Sequence, residues 1–298
     1  MSRLKYLFIY ILCHSNVLAF TNIWVPLKYS TKFSIYSYKD RQWSLFEKSF
    51  SGKWFSPHTN VYNSSGVLNT IIYQNKSVDF AFFQNKSCIL TSKGLNLRNG
   101  TRILKFSKND LNFDGKSIIL DGCASGRGCI SDKLLSFEIN FFHNNITRFM
   151  VIIYYQIYQN YIKLHSVQMN QFRNMDYQNF TFSTLSFQDI CLKMLNNYWK
   201  SQQYVYTSCD ETVHELPINF FNLRPYSSYL QNAMNCTFDS GIIIIPNTIQ
   251  NNEHFRLLIG VMINDTVYKQ VALYYDDIYS NITKCIYDIY ILKDLHSV

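Results

Sequence analysis

Charge is scarce in this sequence. Asp, Glu, Lys and Arg make up 16% of its 298 residues, against 47% hydrophobic and 17% aromatic, which excludes a disordered chain, a coiled coil and a collagen-like repeat. No Lys/Arg cluster is present that could displace many counterions from a nucleic acid. The formal charge of +8 overstates the basicity, because five basic residues (Arg3, Lys5, Lys28, Lys32 and Lys39) precede the first acid, Asp40, and from there on 23 basic residues face 20 acidic ones. The apolar run Tyr6–Cys13 stops at His14, Ser15 and Asn16, well short of the ~20 residues of a membrane-spanning helix. Neither a nucleic-acid partner nor a transmembrane anchor is expected.

Catalytic motifs are missing too. His214-Glu215 opens a zinc-protease motif that fails at once, since position 218 is Ile. No Gly-x-Ser-x-Gly elbow occurs, and the seven His are scattered singly, so no catalytic residue and no metal ligand is assigned. The Gly-rich stretch Asp121-Gly-Cys123-Ala-Ser-Gly-Arg-Gly-Cys129 lacks the Gly-Lys-Ser/Thr end of a phosphate loop. It reads as a loop at a barrel mouth carrying ordinary thiols. With Cys13 set aside, seven cysteines remain without compact spacing, which argues against a full disulfide framework.

The amino terminus has an address-label layout. Arg3 and Lys5 precede the apolar run, and Val17 and Ala19 stand at −3 and −1 of a cleavage position, so residues 1–19 read as a signal peptide. Residues 20–40 are hydroxylated and free of acids until Asp40, a transit-peptide composition. Together these resemble the bipartite targeting sequences of algae with complex plastids, and imply a plastid reached through the secretory route. The alternative is secretion as a glycoprotein, which nine N-x-[ST] sequons favour (Asn63, Asn75, Asn85, Asn99, Asn145, Asn179, Asn235, Asn264 and Asn281).

What the chain does have is ring-bearing, β-branched sequence: 23 Tyr and 23 Phe among runs of Ile, Val and Thr, a strand-forming composition. Ser65-Gly66, Asn99-Gly100 and Asp114-Gly115 are hairpin signals. The hairpin Phe137–Phe142 and Thr147–Tyr155 has a counterpart about 119 residues later in Arg256–Ile263 and Thr266–Tyr275. Each half also opens with a helix-compatible segment, Gln42–Lys48 or Phe187–Asn197, leading into Trp54 or Trp199. The expectation is an all-β chain of two tandem antiparallel barrels, over 41–175 and 185–298, with short helices at their entrances. Closure removes sheet edges; one larger β-sandwich is the alternative.

Gly52-x-Trp54 is similar to the lipocalin signature. Trp43 and Phe46 before it, Phe137-Glu138-x-x-Phe141, Arg148, Tyr154 or Tyr155, and Phe255 through Tyr275-Asp276 complete a pattern over about residues 41–292. The pattern resembles a cyanobacterial and plastid domain-of-unknown-function family of the calycin superfamily. That family has two tandem lipocalin-like antiparallel β-barrels and is related in fold to the S-type phycobilin lyases. The resemblance implies a non-enzymatic binding or assembly protein holding a hydrophobic or tetrapyrrole-like ligand, such as a bilin. A bilin lyase-like factor that serves a phycobiliprotein partner is the enzymatic alternative, and a secreted glycoprotein with lipid- or protein-binding barrels the third.

Glu138 shares a strand face with Asn140 and Phe142, and Arg148 shares one with Met150, Ile152 and Tyr154 on the partner strand. The two could meet inside a barrel as a structural pair or hold a ligand's carboxylate and pyrrole nitrogens. Glu138, Arg148, Tyr154 and Trp54 are the candidate ligand-binding residues, with Trp54 expected to plug one barrel end. In the second half Leu258 matches Glu138 and the arginine positions read Lys269 and Gln270, so polar chemistry is expected only in the first barrel.

Overall fold

The computed structural model describes residues 29–32, 35–93, 101–109, 117–143, 145–175, 199–207, 210–216, 233–238 and 241–292. The signal-peptide reading of 1–19 and the helix-compatible segment Phe187–Asn197 lie outside these. Among the described residues the chain is antiparallel β-structure with one helix.

A short strand, β1 (Tyr29–Lys32), comes first, then the helix α1 (Ile35–Phe50). Gln42, Trp43, Phe46, Ser49 and Phe50 are its buried positions, a spacing of three and four that builds one inward stripe. The boundary read at residue 41 therefore falls inside a helix. The chain leaves α1 through Gly52 at φ 99°, a left-handed conformation that glycine takes without a Cβ penalty.

From there a first sheet is laid down by β2 (Gly52–Asn63), β3 (Leu68–Phe83), β4 (Ser87–Lys93), β5 (Thr101–Ser107), β6 (Ser117–Leu120), β7 (Cys123–Ser131), β8 (Leu134–His143), β9 (Thr147–Ile157) and β10 (Tyr161–Asn174). Their spatial order is β5-β4-β3-β2-β10-β9-β8-β7-β6. The second sheet follows from β11 (Trp199–Thr207), β12 (Asp210–Leu216), β13 (Ala233–Phe238), β14 (Gly241–Pro246), β16 (Phe255–Asn264), β17 (Val267–Tyr275) and β18 (Ile282–Leu292), ordered β12-β11-β18-β17-β16-β14-β13, with β1 paired to β12. Between them β15 (Thr248–Gln250) crosses back to pair with β10 of the first sheet.

The first sheet curls around α1. Trp43, Phe46 and Phe50 of the helix share one interior cluster with Trp54, Val78, Phe80, Cys88, Ile119, Ala124, Phe142, Met150 and Phe172, so strands from both ends of the sheet contribute to the same core. The second sheet has a smaller interior cluster of Leu258, Ala272 and Ile286. The largest core lies elsewhere, between the outer faces of the two sheets. There Phe137 meets Phe255 edge-on at 5.9 Å and Tyr275 at 5.4 Å, among Ile139, Phe141, Val151, Ile153, Leu257, Ile259, Val261, Val271 and Leu273. This explains why β16 and β17 are buried almost throughout and read as apolar runs rather than alternations: both faces are covered. Arg127 spans the junction, donating to the carbonyls of Ile278 (2.8 Å), Ser280 (2.7 Å) and Tyr279 (2.9 Å).

Two expectations need correction. Cys123–Cys129 is not a loop but most of strand β7, paired with β8. Six residues apart on one strand, at roughly 3.3 Å per residue, the two cysteines are too far apart to form a disulfide. Burial drives the Cys123 thiol up to about 12, which leaves it protonated and unreactive. Lys269 and Gln270 do not stand where Arg148 stands either. The register aligns Phe142↔Arg148 with Met262↔Tyr268, and Lys269 points into the junction, donating to the Phe142 carbonyl at 2.6 Å.

Candidate functional site

The inner face of the first sheet is built in rows across β8, β9, β10 and β2. The lowest described row holds Phe142, Arg148 and Phe172; the next holds Asn140, Met150, Asn170 and Thr59; above it come Glu138, Ile152, Gln168 and Val61. Strand alternation puts every second residue here. A register break between Asn170 and Arg173 accommodates the extra residue on β2 that separates Ser56 from Thr59.

Arg148 is 3% exposed and surrounded by rings, its guanidinium carbon 4.8 Å from the Phe50 centroid, 5.2 Å from Phe172 and 5.8 Å from Phe80 and Phe142. Its Nε donates to Asn140 Oδ1 at 2.8 Å; Asn140 Nδ2 donates to Glu138 Oε1 at 2.9 Å; Arg148 Nη2 reaches the same oxygen at 3.4 Å. Burial pulls the guanidinium down to about 10, against the opposing pull of Glu138. The pair is lopsided: the Glu138 side chain is 43% exposed, that of Arg148 4%. Solvent thus reaches the Glu138 row while the Arg148 row is sealed by aromatics.

Tyr154 faces the same interior, its hydroxyl 3.4 Å from Gln168 Oε1, and burial followed by the Glu138 charge pushes it to about 12. Tyr155 points the other way, into the junction, donating to the Pro246 carbonyl at 2.7 Å. Trp54 is fully buried and its indole N–H donates to the Phe50 carbonyl at 2.8 Å. It joins the helix to the first strand and packs on Phe142 at 6.2 Å. Trp199 occupies the same place in the second sheet, 1% exposed at the start of β11. The four predicted residues therefore share one inner face, with Trp54 at the closed end and Glu138 and Tyr154 toward the open one.

Sequence reasoning missed the polar belt of the second sheet. Asp288 (1% exposed) accepts from Gln203 Nε2 at 2.7 Å and Gln270 Nε2 at 3.3 Å, where the first sheet has Asn170 accepting from Thr59 Oγ1 at 2.5 Å. The second sheet lost the arginine but kept a buried polar row. The signal was Asp288 standing alone between Tyr287 and Ile289 in the otherwise apolar run Cys285–Leu292. Lys76, buried beside Asn170, was missed as well. Two open surface depressions, near Asn160 and Glu253 (about 710 Å³) and near Gln84 and Phe106 (about 760 Å³), contain none of the four predicted residues.

No protein-family profile matches the chain, and no curated protein matches it significantly. Among solved structures the chain is similar to a protein of unknown function from the DUF3598 family of Nostoc punctiforme, at a TM-score of 0.60 and 13% identity over 85% of this chain and 99% of that one. This likeness shows the fold: an all-β chain built as two barrel-forming sheets. The fluorescent protein UnaG matches over 43% of this chain at 9% identity and a TM-score of 0.20, too low to carry any argument. Among the described residues no helix is long and apolar enough to cross a membrane.

Proposed function

We propose that the first barrel is a lipocalin-like binding site and that the protein is a non-enzymatic carrier or assembly factor for a hydrophobic small molecule. The observation that carries this is the division of one inner face. Its lower half is packed with Phe50, Phe80, Phe142 and Phe172 around Arg148, while in the row above, Glu138, Ile152, Gln168 and Val61 are only partly buried. A concave apolar wall with a few convergent polar groups suits a flat or elongated apolar ligand. A tetrapyrrole such as a bilin fits this chemistry, with Glu138 placed for pyrrole N–H groups. A plastid address, through the leader, is the corresponding proposal for location. Cys88, Cys123 and Cys285 are buried, which disfavours these three thiols as points of covalent pigment attachment.

The test is a spectroscopic titration of the full chain with biliverdin and, separately, with retinol. A saturable visible band or tryptophan quenching at one equivalent is expected for at least one of them. No response to either contradicts the reading. A fluorescent fusion of residues 1–40 that enters the medium instead of plastids contradicts the location.

A further inference from the structure

We propose that Lys76, Asn170 and Thr59 form a seat for a carboxylate on the floor of the open half of the first barrel, taking the acid end of a ligand with a long apolar body. This rests on the binding reading above and specifies the charge of what binds.

Lys76 is the last residue of β3 in step with β2 before a register break. β3 loses step with β2 between Ser56 and His58, where two residues of β2 span three of β3. On the Lys76 side of the break the pairing is regular, and plain alternation puts Lys76 on the inward face with Val78 and Phe80, both in the interior cluster. Lys76 is 3% exposed. Among the described residues its ammonium makes one hydrogen bond, to Asn170 Oδ1 at 3.3 Å, an oxygen already accepting from Thr59 Oγ1. No described carboxylate lies within ion-pair distance of it, and Glu138, the nearest acid along the rows, is engaged by Arg148 and Asn140. Burial lowers Lys76 to about 8, which leaves it mostly charged at neutral pH.

An unpaired buried ammonium is costly to a fold, and its neighbours add to the imbalance instead of relieving it. Asn170 Nδ2 and Arg148 Nη1 are buried and lack acceptors. All three unmet groups are donors. Water could occupy the donors, but it would not neutralise the charge. One unmatched cation in a low-dielectric floor matches a monoanion, since a dianion would bring a further uncompensated charge into the same place. A planar carboxylate can accept from Lys76 and Asn170 together, and its apolar body would then run up past Met150, Ile152 and Val61 toward the open row.

The experiment compares each acid with its ester on the full chain, using two monocarboxylates: cis-parinaric acid against its methyl ester by fluorescence, and retinoic acid against its methyl ester by tryptophan quenching. The proposal expects at least one acid to bind tenfold or more tightly than its ester. Lys76→Met should lower that acid's affinity to the ester's and leave the ester unchanged. Lys76→Gln serves the same purpose if the Met variant does not fold, and the wild-type comparison stands without either. Equal binding of acid and ester, or an acid preference that survives Lys76→Met, overturns the seat while leaving an apolar site intact. If none of the four compounds binds, both this inference and the binding reading fall.

Discussion

Gln42 pairs with Ile119 as one strand pairs with another. Its side-chain Nε2 donates to the Ile119 carbonyl at 2.8 Å and its Oε1 accepts the Ile119 N–H at 2.7 Å. β6 is the terminal strand of the first sheet, so its outer edge would otherwise bury unpaired backbone groups. The helix thus completes the sheet through one amide. On the opposite side Asp40 accepts from Lys86 (2.7 Å) and Lys108 (2.5 Å), and these lysines hold its carboxyl down at about 2.

Replacing Gln42 by Leu therefore strands two buried backbone groups while keeping the volume. The expected loss is about 2–4 kcal/mol, read from urea unfolding. A loss under about 0.5 kcal/mol for Leu would mean that the edge is satisfied in another way.

The lopsided burial of Arg148 and Glu138 gives a second expectation. Arg148→Ala removes a caged guanidinium and leaves a cavity among Phe50, Phe80, Phe142 and Phe172, for about 3–5 kcal/mol. Glu138→Gln, at the half-exposed end, should cost about 1 kcal/mol or less. Equal losses in thermal or urea unfolding would contradict the division of the inner face into sealed and open halves.

Gly260 and Tyr268 give a third. A Cβ on Gly260 would stand 1.9 Å from the Tyr268 hydroxyl oxygen and 2.7 Å from its Cζ. Gly260→Ala should cost about 1–3 kcal/mol through overpacking, and Tyr268→Phe in the same chain should return part but not all of it, because the ring carbon stays too close. Strict additivity of the two changes in a double-mutant cycle would show that the clash is relieved elsewhere.

The junction between the sheets should respond to pH through Lys269. Burial lowers its ammonium to about 8 from an ordinary 10.5. The unfolded chain therefore binds the proton more tightly, and folding is penalised below about pH 8. The penalty is relieved as pH rises from about 8 to 10.5. Measured against Lys269→Met, wild type should gain relative stability across that window. A difference that stays flat between pH 7 and 10 would contradict the assignment.

Much of this was legible in the sequence. Alternation in Phe137–Phe142 and Arg148–Tyr154 put Glu138, Arg148 and Tyr154 on one face, as the structure has them, and the repeated hairpin announced the second sheet. What failed did so for physical reasons. Gly126 and Gly128 made β7 look like a loop, although both pair with β8 at Glu138 and Ser136. Doubly covered β17 lacks alternation, so nothing local marked which of Tyr268, Lys269 and Gln270 faces inward. Lys76 sits in the polar run Gln74-Asn75-Lys76-Ser77, which resembles a turn and hides the alternation that Lys76 shares with the inward Val78 and Phe80. That the largest core lies between the barrels needed tertiary contacts, because interior and junction faces are equally apolar.

Everything proposed for this protein requires the upper half of the first barrel to admit a ligand. This requirement is tested most directly by titrating the full chain with N-phenyl-1-naphthylamine, a neutral apolar fluorophore, alongside Ile152→Trp and the exposed control Tyr158→Trp. Saturable one-to-one binding is expected in wild type and in the control, weakened at least tenfold by Ile152→Trp, whose indole would fill the row beside Glu138. Absence of saturable binding, or binding untouched by Ile152→Trp, would contradict it.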